Sequence, residues 1–331
     1  MSSSESSRHI LVTGGAGFIG SHLVERLLLD GDRVTIIDDL STGSTENLVA
    51  CDQSRVHFIQ ETVSVGLEDL DPSSFDEIHH LAAAVGVRLV VEQPVHVIET
   101  NVHETLAILR FASACKVPTL LASTSEVYGK SEDIPFKESA DLVFGPTTEP
   151  RWSYACSKAI DEFLGLAWYR DHGLPVVITR FFNTVGPRQR GKWGMVLPRF
   201  VNAALLGKPL QVYGTGDQTR CFCDVRDVAE VLPRIVRNEG MAGAVINVGR
   251  DEPISMTSLA KLVVEILASP SEIEFLSYEQ AYGHAIEDMI HRRPDVSKLR
   301  SVFDFSPRHE LVQTIRDIAE MMRASSRDWL S

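Results

Sequence analysis

Tyr154 and Lys158 are the residues whose types and spacing most directly indicate acid–base chemistry. On a helix, positions four residues apart are neighbours on one face, so the phenol and the ammonium would lie side by side. An isolated phenol has a pKa of about 10 and is a poor base at neutral pH. A nearby ammonium favours the phenolate and lowers that pKa, so the tyrosine could accept the proton of a substrate hydroxyl.

A glycine-rich segment near the start of the chain predicts a binding site for a phosphate-bearing cofactor. Gly14 allows a tight turn after a β-branched run, Gly17 lets the backbone approach a pyrophosphate, and Gly20 lets the next helix pack closely. With Phe18 and Ile19, these glycines begin a helix whose N-terminus stabilises negative charge. The segment therefore predicts that this loop binds a dinucleotide.

An acidic residue ends the second strand pattern and narrows the choice of dinucleotide. Asp38 lies 18 residues after Gly20, where a carboxylate can bind the ribose hydroxyls of the cofactor. A carboxylate there repels a 2′-phosphate, so the sequence predicts NAD rather than NADP. A glycine turn with a purely structural role would not explain an acid at this spacing.

Strands and helices alternate along the first half of the chain, and they must position these groups. The strand patterns cover residues 10–13, 33–37, 56–59, 77–81, 119–122 and 176–179, and the helical patterns cover 18–30, 94–115 and 153–171. Short, nearly continuous apolar strands between helices predict an α/β protein with a Rossmann-type, doubly wound parallel sheet. Ligands of such sheets bind beyond the carboxyl ends of the strands.

The composition of the sequence changes after residue 183, where glycine and proline become frequent and the alternation of strand and helix patterns stops. We expect residues 1–8 to be a disordered tail and residues 9–183 to form the NAD-binding domain. A smaller α+β substrate domain is expected from residues 184–222 and 252–331. Residues 223–251 are expected to return to the first domain.

The overall composition argues against several other classes of function. The 331 residues carry a net charge of −13, which disfavours nucleic acid as the main partner because its phosphates would be repelled. No apolar run is long enough to cross a membrane. The polar start lacks the apolar core of a signal peptide, so we expect a cytoplasmic protein with reduced cysteines. Cys221 and Cys223 are predicted to pack in a core, and no metal site is expected.

The motifs together resemble those of the extended short-chain dehydrogenase/reductase family, which includes nucleotide-sugar epimerases, dehydratases and decarboxylases. The resemblance rests on the glycine loop and on residues 38–43, 80–83, 100–101, 123–129, 154–158, 180–183, 212–214, 219–220 and 292–295. It implies that NAD is also contacted by Leu81, Ala82, Ala83, Asn101, Ser123, Tyr154 and Lys158.

The same resemblance implies that the substrate is a UDP-sugar. Thr124 would bond the C4 hydroxyl of the sugar, and arginines would hold the diphosphate, since a guanidinium pairs two oxygens and stays charged when desolvated. The expected substrate-binding residues are Arg88, Thr124, Tyr154, Asn183, Arg190, Val212, Tyr213, Arg220 and Arg292. Arg88 and Arg190 could instead pair with an acid between the two domains.

The pair Ser125 and Glu126 indicates which reaction follows the oxidation at C4 that these enzymes share. Dehydratases of the family use an aspartate where this chain has Ser125, which argues against loss of water. The pair resembles that of UDP-glucuronate decarboxylases, in which the C4 ketone lets CO₂ leave and Tyr154 could stabilise the enolate. We therefore expect catalysis by Tyr154, Lys158, Thr124, Ser125 and Glu126, with UDP-xylose or a UDP-4-keto-pentose as product.

Two other functions remain open at this stage. A 4-epimerase acting on UDP-glucuronate or UDP-glucose would return hydride to the other face of the ketone, and the segments around Arg88 and Arg190 resemble uronate epimerases. A non-catalytic scaffold that binds nucleotide sugars is compatible with the fold, although Thr124, Tyr154 and Lys158 argue for an enzyme.

The resemblance also implies a homodimer. In related enzymes, two long helices of each chain form a four-helix bundle, and here these would be the helices of residues 94–115 and 153–171. The apolar residues of these helices could equally belong to the core of one chain.

Overall fold

The computed structural model describes residues 7–191, 195–282 and 289–324, apart from the side chains of residues 87, 88 and 282. Its strands are β1 (His9–Thr13), β2 (Arg33–Ile37), β3 (Val56–Ile59), β4 (Glu77–His80), β5 (Thr119–Thr124), β6 (Val176–Phe181), β7 (Thr184–Val185), β8 (Leu210–Tyr213), β9 (Thr219–Cys221), β10 (Cys223–Asp224), β11 (Val245–Val248), β12 (Pro253–Ser255) and β13 (Ile273–Leu276). Its α-helices are α1 (Phe18–Leu29), α2 (Val63–Gly66), α3 (Val87–Glu92), α4 (Pro94–Cys115), α5 (Arg151–His172), α6 (Val196–Leu205), α7 (Val225–Val236), α8 (Met256–Ile266), α9 (Tyr278–Tyr282), α10 (Ser297–Phe303) and α11 (Leu311–Ala324).

A seven-stranded sheet forms the centre of the fold. Its strands run in the order β11-β6-β5-β4-β1-β2-β3, and every neighbouring pair is parallel. This arrangement confirms the predicted Rossmann-type sheet. The order reverses at β1, because the chain runs outward through β2 and β3 and then returns to place β4 on the other side of β1. The loops that follow β1 and β4 therefore diverge and leave a crevice at the carboxyl edge.

The residues of β1 show why helices cover both faces of this sheet. Successive side chains of a strand point to opposite faces. Ile10 and Val12 lie in one core with Leu27 of α1, whereas Leu11 lies in another core with Ile108 of α4. All five of these side chains are fully buried. A strand that is apolar on both faces can be buried in this way only between two helical layers.

A smaller unit is built around β8 and three helices. Leu197 and Phe200 of α6, Leu259 of α8 and Ile315 of α11 share one buried core. The strands of this unit pair as β8 with β13 and β9 with β12. It supplies the α+β part of the expected architecture.

The chain crosses between the two units more than once. Helix α7 contributes to the core beside α1, and β11 extends the central sheet next to β6. Leu299 and Phe303 of α10 also lie in the core beside α1. The first two contacts support the proposed return of residues 223–251, and the exact domain boundaries stay a prediction.

Two further features concern the sequence expectations. No helix within the described ranges combines the length and the apolar character needed to cross a membrane. All five cysteines are free, and the Cys221 and Cys223 side chains are buried. Burial raises the pKa of the Cys221 thiol to about 12, so this thiol stays protonated at neutral pH.

Candidate active site

A cleft of about 570 Å³ lies at the carboxyl edge of the central sheet and extends to the smaller unit. Its wall contains nearly all residues that the sequence assigned to a site: Gly14, Gly17, Phe18, Ile19, Gly20, Asp38, Leu81, Ala82, Ala83, Ser123, Thr124, Ser125, Glu126, Tyr154, Lys158, Asn183, Arg190, Val212, Tyr213, Arg220 and Arg292. Residues separated by up to 278 positions (from Gly14 to Arg292) therefore meet at one surface.

Asn101 and Arg88 are the two predicted contact residues that are not part of the cleft wall as described. Asn101 does not reach the cleft wall: its side chain accepts from the Ala84 backbone N–H at 2.8 Å and donates to the Ser157 hydroxyl at 3.1 Å. These bonds fix the loop after β4 on α5, and the predicted contact of Asn101 with NAD stays a prediction. The side chain of Arg88 lies outside the described residues, and its predicted role stays a prediction.

The glycine loop between β1 and α1 is packed too tightly for side chains. A Cβ on Gly20 would lie 2.0 Å from the carbonyl oxygen of Gly14, and a Cβ on Gly14 would lie 2.8 Å from the amide nitrogen of Ala82. Gly14 also has a φ of +70°, which favours glycine. The requirement for glycine is thus steric at Gly20, and both steric and conformational at Gly14.

The N-terminus of α1 fits a pyrophosphate. Gly17 is its N-cap, no side chain caps the helix, and its first turn contains no acidic residue. The first N–H groups of a helix need acceptors, and the helix dipole favours an anion at this end. These features match the phosphate contact that the glycine spacing predicted.

Asp38 supports the loop and also faces the cleft. Its carboxylate accepts from the backbone N–H groups of Ala16 and Leu40, each at 2.9 Å. Burial raises the pKa of this carboxyl, while these backbone bonds lower it. A carboxylate has about four acceptor positions, so two backbone bonds leave capacity for ribose hydroxyls.

Thr124 and Tyr154 form the centre of the predicted chemistry. Thr124 ends β5, and its hydroxyl oxygen accepts from the Glu126 backbone N–H at 3.2 Å, which caps the short 3₁₀ turn Ser125–Tyr128. Burial raises the pKa of Tyr154, and the nearby Glu126 carboxylate raises it further. A hydrogen bond from Thr124 lowers this pKa, because it stabilises the phenolate oxygen.

Lys158 has a partner that the sequence reasoning missed. Its ammonium donates to the Asp161 carboxylate at 2.7 Å, and both side chains are buried. We expected the ammonium to act on the pKa of Tyr154 without such a counter-charge. Lys158 lines the same cleft as Tyr154, and the Asp161 carboxylate neutralises much of its charge from behind.

Glu126 is held between two guanidinium groups. Nη1 of Arg292 lies 2.6 Å from Oε1, and Nη2 of Arg151 lies 3.4 Å from Oε2. Arg151 also lines the cleft, and it was not predicted. Its signal was present in the sequence, since it precedes Tyr154 by three residues on the same helix face. In this structure Arg292 contacts Glu126, and its predicted contact with a diphosphate stays a prediction.

The far end of the cleft carries positive charge and an aromatic ring. Arg220 is buried, and its guanidinium donates to the carbonyl oxygens of Thr219 and Ile290. The guanidinium of Arg199 stacks over the ring of Tyr213 at 4.5 Å and donates to its hydroxyl. Arg199 was another arginine missed in the sequence.

Asn183 adds a polar group between these two regions. Its Oδ1 atom is buried and has no hydrogen-bond partner among the described residues. Buried acceptors without a partner are uncommon in folded proteins, and a bound ligand can supply the missing donor. The observation fits the predicted role of Asn183 in substrate binding.

The fold and the cleft together define a dinucleotide-dependent enzyme with a Rossmann-type domain. The profile of the NAD dependent epimerase/dehydratase family matches residues 10–249. The chain belongs to this family, and its cofactor is NAD.

Individual relatives extend the similarity to nearly the whole chain. The chain is 38% identical to a UDP-N-acetyl-alpha-D-glucosaminuronate decarboxylase of Bacillus cytotoxicus, over 97% of this chain and 99% of that protein. It is 35% identical to UDP-glucuronic acid decarboxylase 6 of Arabidopsis thaliana, over 93% and 86% of the two chains.

A solved structure shows the same fold. The UDP-N-acetylglucosamine 4-epimerase from Methanobrevibacter ruminantium M1, in complex with UDP-N-acetylmuramic acid, superposes with a TM-score of 0.85. It is 28% identical to this chain and covers 96% of this chain and 99% of its own.

Proposed function

We propose that this protein is an NAD-dependent decarboxylase of a UDP-linked hexuronate, with UDP-glucuronate as the first substrate to test. The observation that carries the proposal is the Thr124–Ser125–Glu126 segment, which lines the cleft beside Tyr154. Thr124 and Tyr154 are the residue types that oxidation at C4 requires. A serine in the middle, where a dehydratase needs an acid, leaves Glu126 as the carboxylate of this segment.

The first step is oxidation of the sugar at C4. NAD, when bound, accepts the hydride from this carbon and later returns it. Tyr154 takes the proton of the C4 hydroxyl, and Thr124 holds the phenolic oxygen by the hydrogen bond described above. Lys158 lies in the same wall and provides positive charge next to the phenol.

The second step is loss of CO₂ from the 4-keto acid. The electron pair of the C5–C6 bond moves into the C4 carbonyl, and Tyr154, now protonated, donates a hydrogen bond to the enolate oxygen. C5 then needs a proton. Arg292 and Arg151 hold the Glu126 side chain in place by ion pairs, and we propose that Glu126 orders the water that protonates C5. The hydroxide left behind takes a proton from the solvent.

The relatives support decarboxylation and suggest two hexuronates as candidate substrates. Names of relatives at 38% and 35% identity both specify a decarboxylase, one for an N-acetylated uronate and one for UDP-glucuronic acid. These two uronates differ in the group at C2, which takes no part in the chemistry at C4, C5 and C6.

A second candidate, 4-epimerisation of a UDP-sugar, is favoured by the shared fold of the Methanobrevibacter ruminantium epimerase. An epimerase would need the 4-keto sugar to turn over before hydride returns. The same substrates decide between the two reactions.

The test is incubation of the purified protein and NAD with UDP-glucuronate and, separately, with the 2-N-acetylated uronate. CO₂ release with a UDP-pentose product confirms decarboxylation, and a six-carbon product inverted at C4 identifies an epimerase. Tyr154→Phe is the matched control, since it removes only the reactive hydroxyl. If the wild-type and Tyr154→Phe proteins are equally inactive on both substrates, the result would favour a non-catalytic scaffold.

We further propose that the protein is a homodimer through α4 and α5. Val95 and Ile98 of α4 and Ile160 and Phe163 of α5 are large apolar side chains with 40–67% of their surface exposed. The two helices pack against each other, so their outer faces could form half of a four-helix bundle. The cytoplasmic location expected from the sequence also stays a prediction.

A further inference from the structure

A buried carboxylate that the mechanism does not use lies directly behind Lys158. Asp161 follows Lys158 by three residues and Tyr154 by seven, so the three residues share one face of α5. Only 2% of Asp161 is exposed, and it does not line the cleft. It therefore cannot contact a substrate, and its effect must pass through its neighbours.

The geometry of the pair explains why an acid is stable at this position. Oδ2 of Asp161 lies 2.7 Å from Nζ of Lys158, and the two side chains are 3% and 4% exposed. The other oxygen, Oδ1, is buried with no hydrogen-bond partner among the described atoms. The ammonium is thus the main compensation for the buried negative charge, and removal of either partner alone would leave a buried charge without compensation.

The other groups near Asp161 leave this pairing intact. Burial raises the pKa of Asp161 above its usual value, and the Lys158 ammonium and the Thr105 hydroxyl of α4 oppose this rise. His80 of β4 is fully buried with its pKa lowered to about 3, so it is neutral at working pH. Glu162, the next residue of α5, is occupied by a bidentate pair with Arg180 at 2.7 and 2.9 Å.

The charges around Tyr154 come from two sides. Glu126, after β5, raises the pKa of the phenol, and Arg292 lowers it. Asp161 also raises this pKa from the opposite side, along α5. Because Glu126 has its own guanidinium partners, Asp161 is the acid that directly opposes Lys158.

We propose that Asp161 is a positioning residue that holds the Lys158 ammonium in a buried, nearly neutral pair and so limits how strongly this ammonium stabilises the Tyr154 phenolate. A phenol that must both accept and return a proton in one turnover works best when neither form is strongly favoured. A lysine without a counter-charge would hold the tyrosine as phenolate, which favours oxidation at C4 but hinders the return of the proton. The inference rests on the proposed oxidation and re-reduction at C4.

The test is a titration of Tyr154 in the Asp161→Asn variant, which removes the charge and keeps a hydrogen-bond acceptor. Tyrosinate absorbance is followed against pH in the NAD-loaded protein without substrate, and the signal of the same variant carrying Tyr154→Phe is subtracted. We expect the midpoint to fall by about one pH unit, a tenfold change in the ionisation constant. With substrate, the acidic limb of the kcat/KM profile should move to lower pH by the same amount.

Matched variants separate this role from a structural one. Asp171→Asn makes the same chemical change at an exposed site of α5 and should leave the midpoint unchanged. In a Lys158→Met background, Asp161→Asn should shift the midpoint less, because only the direct effect of the Asp161 charge on the phenol remains. Asp161→Ser keeps the measurement possible if the amide variant does not fold.

The outcomes are distinct from those of the proposed function. An Asp161→Asn midpoint equal to that of the wild type, in a folded protein that retains NAD, overturns the proposal. A shift of the same size in the Lys158→Met background also overturns it. Because the titration uses no sugar, a failure to decarboxylate either uronate would count against the proposed function alone.

Discussion

At the scale of single residues, we propose that Glu126 distinguishes the two reactions under consideration. Epimerisation requires only the removal and return of hydride at C4, whereas decarboxylation also requires a proton at C5. The two guanidinium groups fix the carboxylate of Glu126 near the start of the turn that follows Thr124. In the proposed decarboxylation, this arrangement holds a carboxylate where it can order the water that protonates C5.

Glu126→Gln should therefore separate the first step from the second. We expect reduction of the bound cofactor by UDP-glucuronate to persist, because Thr124 and Tyr154 are unchanged. Formation of the pentose should slow by about 10²-fold, the range lost when a positioned proton-transfer group is removed. Cofactor absorbance and product formation, measured in the same reaction, check the two steps.

The control for this variant is Glu132→Gln, an exposed glutamate a few residues further along the chain. It should leave both rates unchanged. Equal slowing of cofactor reduction and of pentose formation in Glu126→Gln would contradict the assignment, since it would place Glu126 in the oxidation step.

At the scale of elements, the junction of β1 with α1 depends on the absence of a side chain at Gly20. An alanine Cβ there would lie 2.0 Å from the Gly14 carbonyl oxygen, a distance that only movement of the loop can relieve. We expect Gly20→Ala to destabilise the protein by roughly 1–3 kcal/mol, the usual range for overpacking, and to weaken NAD binding at least tenfold. Thermal unfolding and cofactor titration measure the two effects.

Gly240→Ala is the matched control for the loop. A Cβ at Gly240 would approach only the Asn238 side-chain oxygen, at 3.1 Å, and its backbone conformation is open to any residue. It should leave NAD affinity unchanged. If Gly20→Ala binds NAD as tightly as the wild type, close packing of this helix on the loop is not required for the cofactor site.

Strand β4 contributes a buried histidine that makes folding sensitive to acid. One ring nitrogen of His80 lies 2.8 Å from the Thr13 hydroxyl oxygen and the other lies 3.3 Å from that of Thr105. Burial lowers its pKa from 6.5 to about 3. The unfolded chain therefore binds a proton more readily than the folded one, and the resulting stability is complete above pH 6.5 and is lost as pH falls toward 3.

His80→Gln should remove this part of the pH dependence. The free energy of unfolding of the wild type should fall between pH 6.5 and 3 by up to about 5 kcal/mol more than that of the variant, at about 1.4 kcal/mol per pKa unit. Urea unfolding at several pH values measures the difference. His172→Gln, at an exposed histidine, should keep the wild-type dependence. Parallel curves for wild type and His80→Gln would contradict the buried neutral state.

At the scale of the whole molecule, the sequence predicted the parts whose chemistry requires a fixed local spacing. The glycine loop, Asp38 and the tyrosine–lysine pair are local motifs, and the structure brings all of them to one cleft. Contacts between side chains from distant segments of the chain were harder to predict from the sequence. Arg151 was missed because its role depends on Glu126, which lies on a different element.

The same limit applies to Asn101. The family pattern assigned this residue to the cofactor, but a polar side chain inside α4 can bond either a ligand or the backbone of a neighbouring loop. The structure shows bonds of Asn101 to the Ala84 backbone, and its contact with the cofactor stays a prediction. Spacing along the sequence does not distinguish the two, because both need an amide on the same helix face.

Assembly is the property of the whole molecule that remains to be tested, and Phe163 offers the most direct test. This side chain is 67% exposed, on the side of α5 opposite to Lys158. Burial of a phenylalanine stabilises an interface by roughly 1.5–3 kcal/mol, and an aspartate there would instead bury a charge. We expect Phe163→Asp to convert a dimer into a monomer, as measured by size exclusion with light scattering.

The matched control is Phe275→Asp, which changes another exposed phenylalanine, 51% exposed, on β13 of the smaller unit. It should remain dimeric, because β13 lies outside the proposed bundle. A wild-type protein that is monomeric at all concentrations would overturn the dimer, and a dimer that survives Phe163→Asp would move its interface away from α5. Helix α5 also carries Tyr154, Lys158 and Asp161. If the interface supports the geometry of this helix, loss of the bundle should reduce turnover as well as the molecular mass in solution.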